Sequence, residues 1–137
     1  MQGDVVLSVD PGREKCGIAV VHRSRGILYK SIVETAELLA AATALVVKYS
    51  LTTAVVGDST SSRSAQSKLS TIEVKGQKMT VIPVNEYRST DQARNRYWAD
   101  HPPKGLFRLI PITMRVPPVP VDDYAAVVLA ERYFAGQ

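Results

Sequence analysis

The stretch from Val5 to Val21, VVLSVDPGREKCGIAVV, constrains this chain more than any other. An apolar run ends in Asp10, the Pro11-Gly12 pair breaks the pattern, and a second apolar run starts at Cys16. That order predicts a strand, a tight turn and an antiparallel partner strand, because Pro and Gly supply turn backbone. One carboxylate is left at the sheet. Asp is depleted in strand interiors and favoured in turns, so Asp10 alone says little. Its company says more: Asp58, Glu86 and the Asp122/Asp123 pair each follow or flank another apolar segment. Four distant parts of the chain can therefore bring carboxylates to one edge of one sheet, which suits a divalent metal on oxygen ligands.

With 137 residues, 45% of them hydrophobic, the chain has the size and apolar content of one domain over 1–137. Its longest apolar run, Leu38 to Val47, is about half the roughly 20 residues of a membrane helix. The N-terminus lacks the basic, apolar, small-residue order of a signal peptide. A soluble cytoplasmic protein with no membrane partner is expected. Cys16 is the only cysteine, and His22 and His101 show no metal-motif spacing, so zinc is not expected. A hard cation on oxygen ligands remains.

The net charge of +4 is unevenly placed, with ten basic and four acidic residues between positions 60 and 115. Segregation of this kind fits a surface that meets a polyanion, and equally a solvated face that keeps a protein soluble.

Strands are expected at Asp4 to Val9, Cys16 to His22 and Gly26 to Val33, forming an antiparallel meander. An amphipathic helix follows, capped by Ser31 or Thr35, with Leu38, Leu39, Ala42, Leu45, Val46 and Tyr49 on one face. Thr52 to Val56 is a further strand ending at Gly57-Asp58, and a short helix runs from Ser62 to Ser70. Strand, helix, strand implies a parallel crossover. A loop or short hairpin surrounds Gly76, and Met79 to Val84 is the fifth strand, with Pro83 marking its end. Ser89 or Thr90 caps a helix to about Ala99, and a final helix spans Val121 to Phe134. Pro117 to Pro120 matches a polyproline pattern but reads as a rigid entry loop.

This element order is that of the ribonuclease H-like α/β fold: a five-stranded mixed sheet, three antiparallel strands first, helices on both faces. The sequence resembles the YqgF/RuvX family, relatives of the RuvC junction resolvases. The resemblance rests on Asp10-Pro11-Gly12 followed by Gly17, on Glu86 with Arg88-Ser89-Thr90 and Ala93-Arg94, and on Asp122 with Ala125-Ala126 ahead of Leu129. It spans nearly the whole chain, and the ordered set is specific where each motif alone is weak.

The resemblance implies that Asp10, Glu86 and Asp122 are catalytic and hold Mg2+ or Mn2+. Carboxylates packed close raise one another's pKa unless a cation is present, which favours metal loading. Each acid could instead serve a turn or a helix cap. Asp123 is the alternative to Asp122, since one residue turns a helical side chain by about 100°. The family pattern places an Asp before the Glu and an Arg after it; this chain has Asn85 and Tyr87. Asp58 is a candidate compensating ligand or a turn residue.

Candidate nucleic-acid contacts are Thr60, Ser61 and Ser62 at a helix start, with Arg63, and Arg88, Arg94, Lys104 and Arg108 around Glu86 and the late loop, with Arg96 and Arg115 nearby. Tyr97 and Trp98 are read as core in preference to base-stacking residues. The implied activity is metal-dependent hydrolysis of phosphodiester bonds in structured nucleic acid. Relatives divide between ribosomal RNA precursor processing and Holliday junction cleavage. The alternative is a nucleic-acid binding protein of the same fold with weak or lost catalysis. A third reading, Asp10 to Gly17 as the phosphate loop of an actin-like ATPase, needs two such domains. Monomer and homodimer are both open, and junction resolution by paired cuts would require a symmetric dimer.

Overall fold

A computed structural model describes residues 2–60, 62–105, 109, 117 and 119–136. After a 3-10 turn at Gln2–Asp4, strands β1 (Val5–Asp10), β2 (Lys15–His22) and β3 (Gly26–Glu34) form the antiparallel meander. Helix α1 (Leu38–Tyr49) leads to β4 (Thr53–Gly57), and α2 (Ser62–Ser70) to a two-stranded hairpin, β5 (Glu73–Val74) and β6 (Gln77–Lys78). Strand β7 (Thr80–Val84), α3 (Ser89–Asp100) and α4 (Asp122–Phe134) follow. The main sheet has the order β3-β2-β1-β4-β7, with β1, β4 and β7 parallel. Pro83 lies inside β7, opposite Val56, and is tolerated because β7 is an edge strand.

Side chains alternate between the faces of a strand, so each strand feeds two cores. Leu7, Val9, Ile18, Val20, Ala54 and Val56 pack with Leu38, Ala42 and Leu45 of α1 and Ala65 and Leu69 of α2. Val6, Ala19, Val21, Val55 and Val84 pack on the other face against Ala126, Val127, Leu129 and Ala130 of α4. Each fully buried Leu or Val contributes roughly 1.5–3 kcal/mol through removal from water. A third cluster joins α3 to α4 through Ala93, Tyr97, Trp98, Val121, Tyr124 and Ala125. Tyr97 and Trp98 are thus core residues, with rings edge to face at 5.0 Å.

The expected helix caps are not used. A 3-10 turn at Thr35–Glu37 precedes α1, and no side chain caps it; Ser31 lies within β3, and the Thr35 hydroxyl donates to the Gly12 carbonyl at 2.9 Å. Thr35 therefore ties the β1–β2 turn to the helix entrance. Before α3 the cap position is Arg88, in the left-handed region at φ 59°, again without a side-chain cap.

Candidate metal centre

In a parallel arrangement the C-terminal ends of neighbouring strands coincide, and ligands gather there. Val9 is level with Val56, and Gly57 with Val84, so Asp10, Asp58 and Glu86 all leave the sheet at one edge. Alternation then selects a face. Asp10 lies on the same face of β1 as Val6 and Ser8, the face covered by α4. The buried Ser8 hydroxyl donates to the Ala126 carbonyl at 2.6 Å. Two residues further along the strand is Asp10, and one helical turn earlier is Asp122.

Two glycines make the approach possible. Gly17 pairs with Asp10 across the antiparallel ladder, and a Cβ on Gly17 would overlap the Asp122 carbonyl. A Cβ on Gly57 would meet the Glu86 carboxylate. The start of α4 and the side chain of Glu86 thus occupy space that only glycine leaves.

The electrostatic consequence is concentrated on Asp10. Burial first, then the charges of Glu86 and Asp122 and a hydrogen bond between the Asp10 and Glu86 carboxyl groups, push its pKa from 3.8 up to about 7. Asp10 is thus hydrogen-bonded to the Glu86 carboxyl group, with the Asp122 charge within reach. Asp123 faces elsewhere: Lys30 Nζ lies 3.0 Å from its Oδ2. Asp58 is exposed and accepts the Glu86 N–H at Oδ1, 3.3 Å away, while its own N–H donates to the Val84 carbonyl at 3.0 Å.

Oxygen donors under mutual repulsion fit a hard divalent cation, and Asp10, Glu86 and Asp122 are the donors in range. Among the described residues no three acids converge tightly enough to chelate an ion as they stand. Binding would therefore require side-chain adjustment around the Asp10–Glu86 pair.

A residue with no motif to announce it holds the Glu86 loop. Arg132 Nη1 donates to the Asn85 carbonyl and Nη2 to the Tyr87 carbonyl, each at 2.7 Å. The guanidinium fork straddles Glu86 from α4, and no local pattern marks it beyond a basic residue in a last helical turn. Asn85 Oδ1 accepts the Tyr87 N–H at 2.7 Å, an Asx turn that an Asp could also make. Tyr87 is 76% exposed.

The expected nucleic-acid contacts separate into groups. Thr60 and Arg63 are exposed near Asp58 and line a shared cavity with it. Ser62 is buried, and its hydroxyl accepts from Gln66 Nε2 at 3.1 Å. Arg88 and Arg94 both pair with Asp91, at 3.2 and 3.8 Å, and Arg96 pairs with Glu131 at 2.6 Å. Lys104 is exposed in the loop after α3. Ser61, Arg108 and Arg115 lie outside the described residues.

Two solved structures match the architecture nearly end to end. The Thermus thermophilus RuvC structure is 15% identical, with 97% of each chain covered and a TM-score of 0.53. T. thermophilus RuvC in complex with a Holliday junction substrate is 14% identical, covering 96% of this chain and 94% of that one, with a TM-score of 0.56. The fold is the RuvC-like ribonuclease H fold. No protein-family model matches the sequence, and no match is found among curated proteins. No helix among the described residues is long and apolar enough to cross a membrane.

Proposed function

We propose that this protein is a metal-dependent nuclease that hydrolyses phosphodiester bonds in structured nucleic acid, with Asp10, Glu86 and Asp122 as its catalytic acids. The observation that carries the reading is the convergence of three acids at one sheet edge, where Gly17 and Gly57 admit Asp122 and Glu86 beside the half-buried Asp10. Burial and these two acids together raise the Asp10 pKa. Such a group of acids is poorly compatible with full ionisation and is relieved by a cation. The motifs shared with the YqgF/RuvX family support the same three residues. The RuvC complex with a Holliday junction supports a nucleic-acid substrate.

Mg2+ or Mn2+ held by Asp10 and Glu86 beside Asp122 would supply the charge that activates a water and stabilises a leaving oxygen. The chain's own residues prepare that arrangement. Asp10, whose pKa is raised to about 7, would have to release its proton before its carboxylate could hold the ion. Asp58 and Arg132 fix the backbone on either side of the Glu86 carboxylate. Lys30 neutralises Asp123, leaving Asp122 as the inward acid. Asp58 thus acts by positioning Glu86.

A second reading, a nucleic-acid binding protein of this fold with weak or lost catalysis, is favoured by one observation: no three acids among the described residues converge as a ready chelate. Cleavage of labelled four-way DNA junctions, duplex DNA and structured precursor RNA, side by side with manganese or EDTA, separates the two. Metal-dependent cutting that is lost in Asp10→Asn and Glu86→Gln, with binding retained, is the expected result and identifies the substrate. Salt-sensitive binding with no cutting of any substrate would leave the binder. The sedimentation behaviour of the complex with a four-way junction distinguishes one protomer from two.

A further inference from the structure

Most cations of this protein near the carboxylate edge are already spoken for. Arg88 and Arg94 pair with Asp91, Arg96 with Glu131 and Lys30 with Asp123, and Arg132 donates to two backbone carbonyls. Three others converge without such partners. Arg13, Arg63 and Lys68 line one cavity of about 350 Å³ between the β1–β2 turn and α2, and among the described residues none of them forms an ion pair. Thr60 and Ser64 bring hydroxyls to the same walls.

The cavity begins where the catalytic strand ends, because Pro11 and Gly12 directly follow Asp10 and also line it. It adjoins a second, wider cavity of about 620 Å³ that includes Asp58, and the two share Thr60 and Arg63 as walls. The two adjoining cavities form a trough that runs from Asp58 past Arg63 to Arg13 and Lys68; Asp58 is the one acid that lines it, and Asp10, Glu86 and Asp122 stand beside it rather than in its walls.

We propose that this trough is a phosphate-binding track that takes the backbone of a nucleic-acid strand, with Arg13, Arg63 and Lys68 neutralising successive phosphates beside the carboxylate centre. The proposal rests on the nuclease reading for the direction of the strand but not for the binding itself. Three convergent cations without carboxylate partners repel one another, and a bound polyanion relieves that repulsion. A trough open at the acid edge suits a polymer, whose phosphates repeat along it, better than a single small anion. The acids themselves repel phosphate, so cations immediately beside them are what would hold a strand close enough to be cut.

The test uses the full chain and a charge-matched control. Lys75 and Lys78 line a separate cavity at the opposite end of the sheet, with Thr52 and Met79. The double variants Arg13→Gln/Lys68→Gln and Lys75→Gln/Lys78→Gln therefore remove equal charge from opposite ends. Binding of a labelled oligonucleotide, single-stranded and duplex, is measured with EDTA from low to moderate salt, after circular dichroism confirms that both variants are folded. The trough predicts that only Arg13→Gln/Lys68→Gln weakens binding, about tenfold or more, and lowers the slope of log affinity against log salt by about 1 to 2. Arg63→Gln should act in the same direction.

Equal loss in the two double variants would reduce the effect to net charge and overturn the track. Inorganic phosphate or a nucleoside monophosphate binding the wild type at submillimolar concentration, with oligonucleotide affinity unchanged in Arg13→Gln/Lys68→Gln, would make the cavity a small-anion site and also overturn it. The nuclease reading fails separately: binding that depends on Arg13 and Lys68 in a protein that never cleaves keeps the track and loses the enzyme. Cleavage that ignores both double variants does the reverse.

Discussion

The α-carbon of Gly17 faces the backbone carbonyl of Asp122 so closely that no methyl group fits between them. The contact is backbone against backbone, so neither partner can rotate away. Gly17→Ala should therefore push the start of α4 off β2, costing about 1–3 kcal/mol as overpacking does, and should abolish cleavage. Thermal melting and cleavage assays check both effects, and a variant with wild-type stability would show that α4 is free to shift.

Gly57 offers the contrasting case. The atoms a Cβ would meet there belong chiefly to the Glu86 carboxylate, the mobile end of a long side chain. Gly57→Ala is expected to leave the melting temperature nearly unchanged while cutting cleavage at least tenfold. Loss of stability equal to that of Gly17→Ala would mean that the strand, not the side chain, yields.

Asp10 makes stability depend on pH in an unusual direction for a carboxyl group. Its pKa is about 7 in the folded protein against 3.8 otherwise, so between those values the native state holds a proton that the unfolded chain has released. The contribution is complete below about pH 3.8, declines as pH rises and is lost above about pH 7. Urea unfolding with EDTA at pH 5 and pH 8 should show the wild type losing more stability over that interval than Asp10→Asn. Added Mg2+ should restore part of the loss at pH 8. Parallel pH profiles for the two proteins would remove Asp10 as the titrating group.

Asp58 accepts a hydrogen bond from the Glu86 amide, which separates positioning from metal ligation by experiment. Asp58→Asn keeps an acceptor oxygen and should retain cleavage within about threefold, whereas Asp58→Ala should lose about tenfold, the equivalent of one hydrogen bond. Equal, severe loss in both would assign the carboxylate charge itself to the reaction.

Arg132 provides the same support from the other side. Arg132→Met removes both donors to the Asn85 and Tyr87 carbonyls and should cost about 1–3 kcal/mol. Cleavage is expected to fall more than nucleic-acid affinity does, and Arg132→Lys, which cannot form the fork, should recover only part of the activity.

The sequence displayed the architecture because its strands carry period-two apolar patterns bounded by Gly, Pro and polar turns. Ser62–Ser70 and the hairpin around Gly76 occur where composition places them. The caps did not, since Thr35 has a tertiary partner in Gly12 and Arg88 occupies a left-handed position that no local pattern marks. The acids were visible as residues ending apolar segments, but their separate duties were not. Asp123 is drawn away from the acid edge by Lys30, a residue 93 positions away, and the carbonyls flanking Glu86 are held by Arg132 across the fold. Long-range pairing of that kind leaves no local periodicity to read.

Trp98 is the single tryptophan of this chain, and it sits buried between the helix that follows Glu86 and the helix that begins at Asp122. Its emission is consequently a built-in gauge of whether those two helices are seated together, independent of the sheet. A fluorescence transition that precedes the loss of far-ultraviolet dichroism would show the helices parting while the strands stay paired, and so would time the disassembly of the acidic cluster within the life of the folded protein.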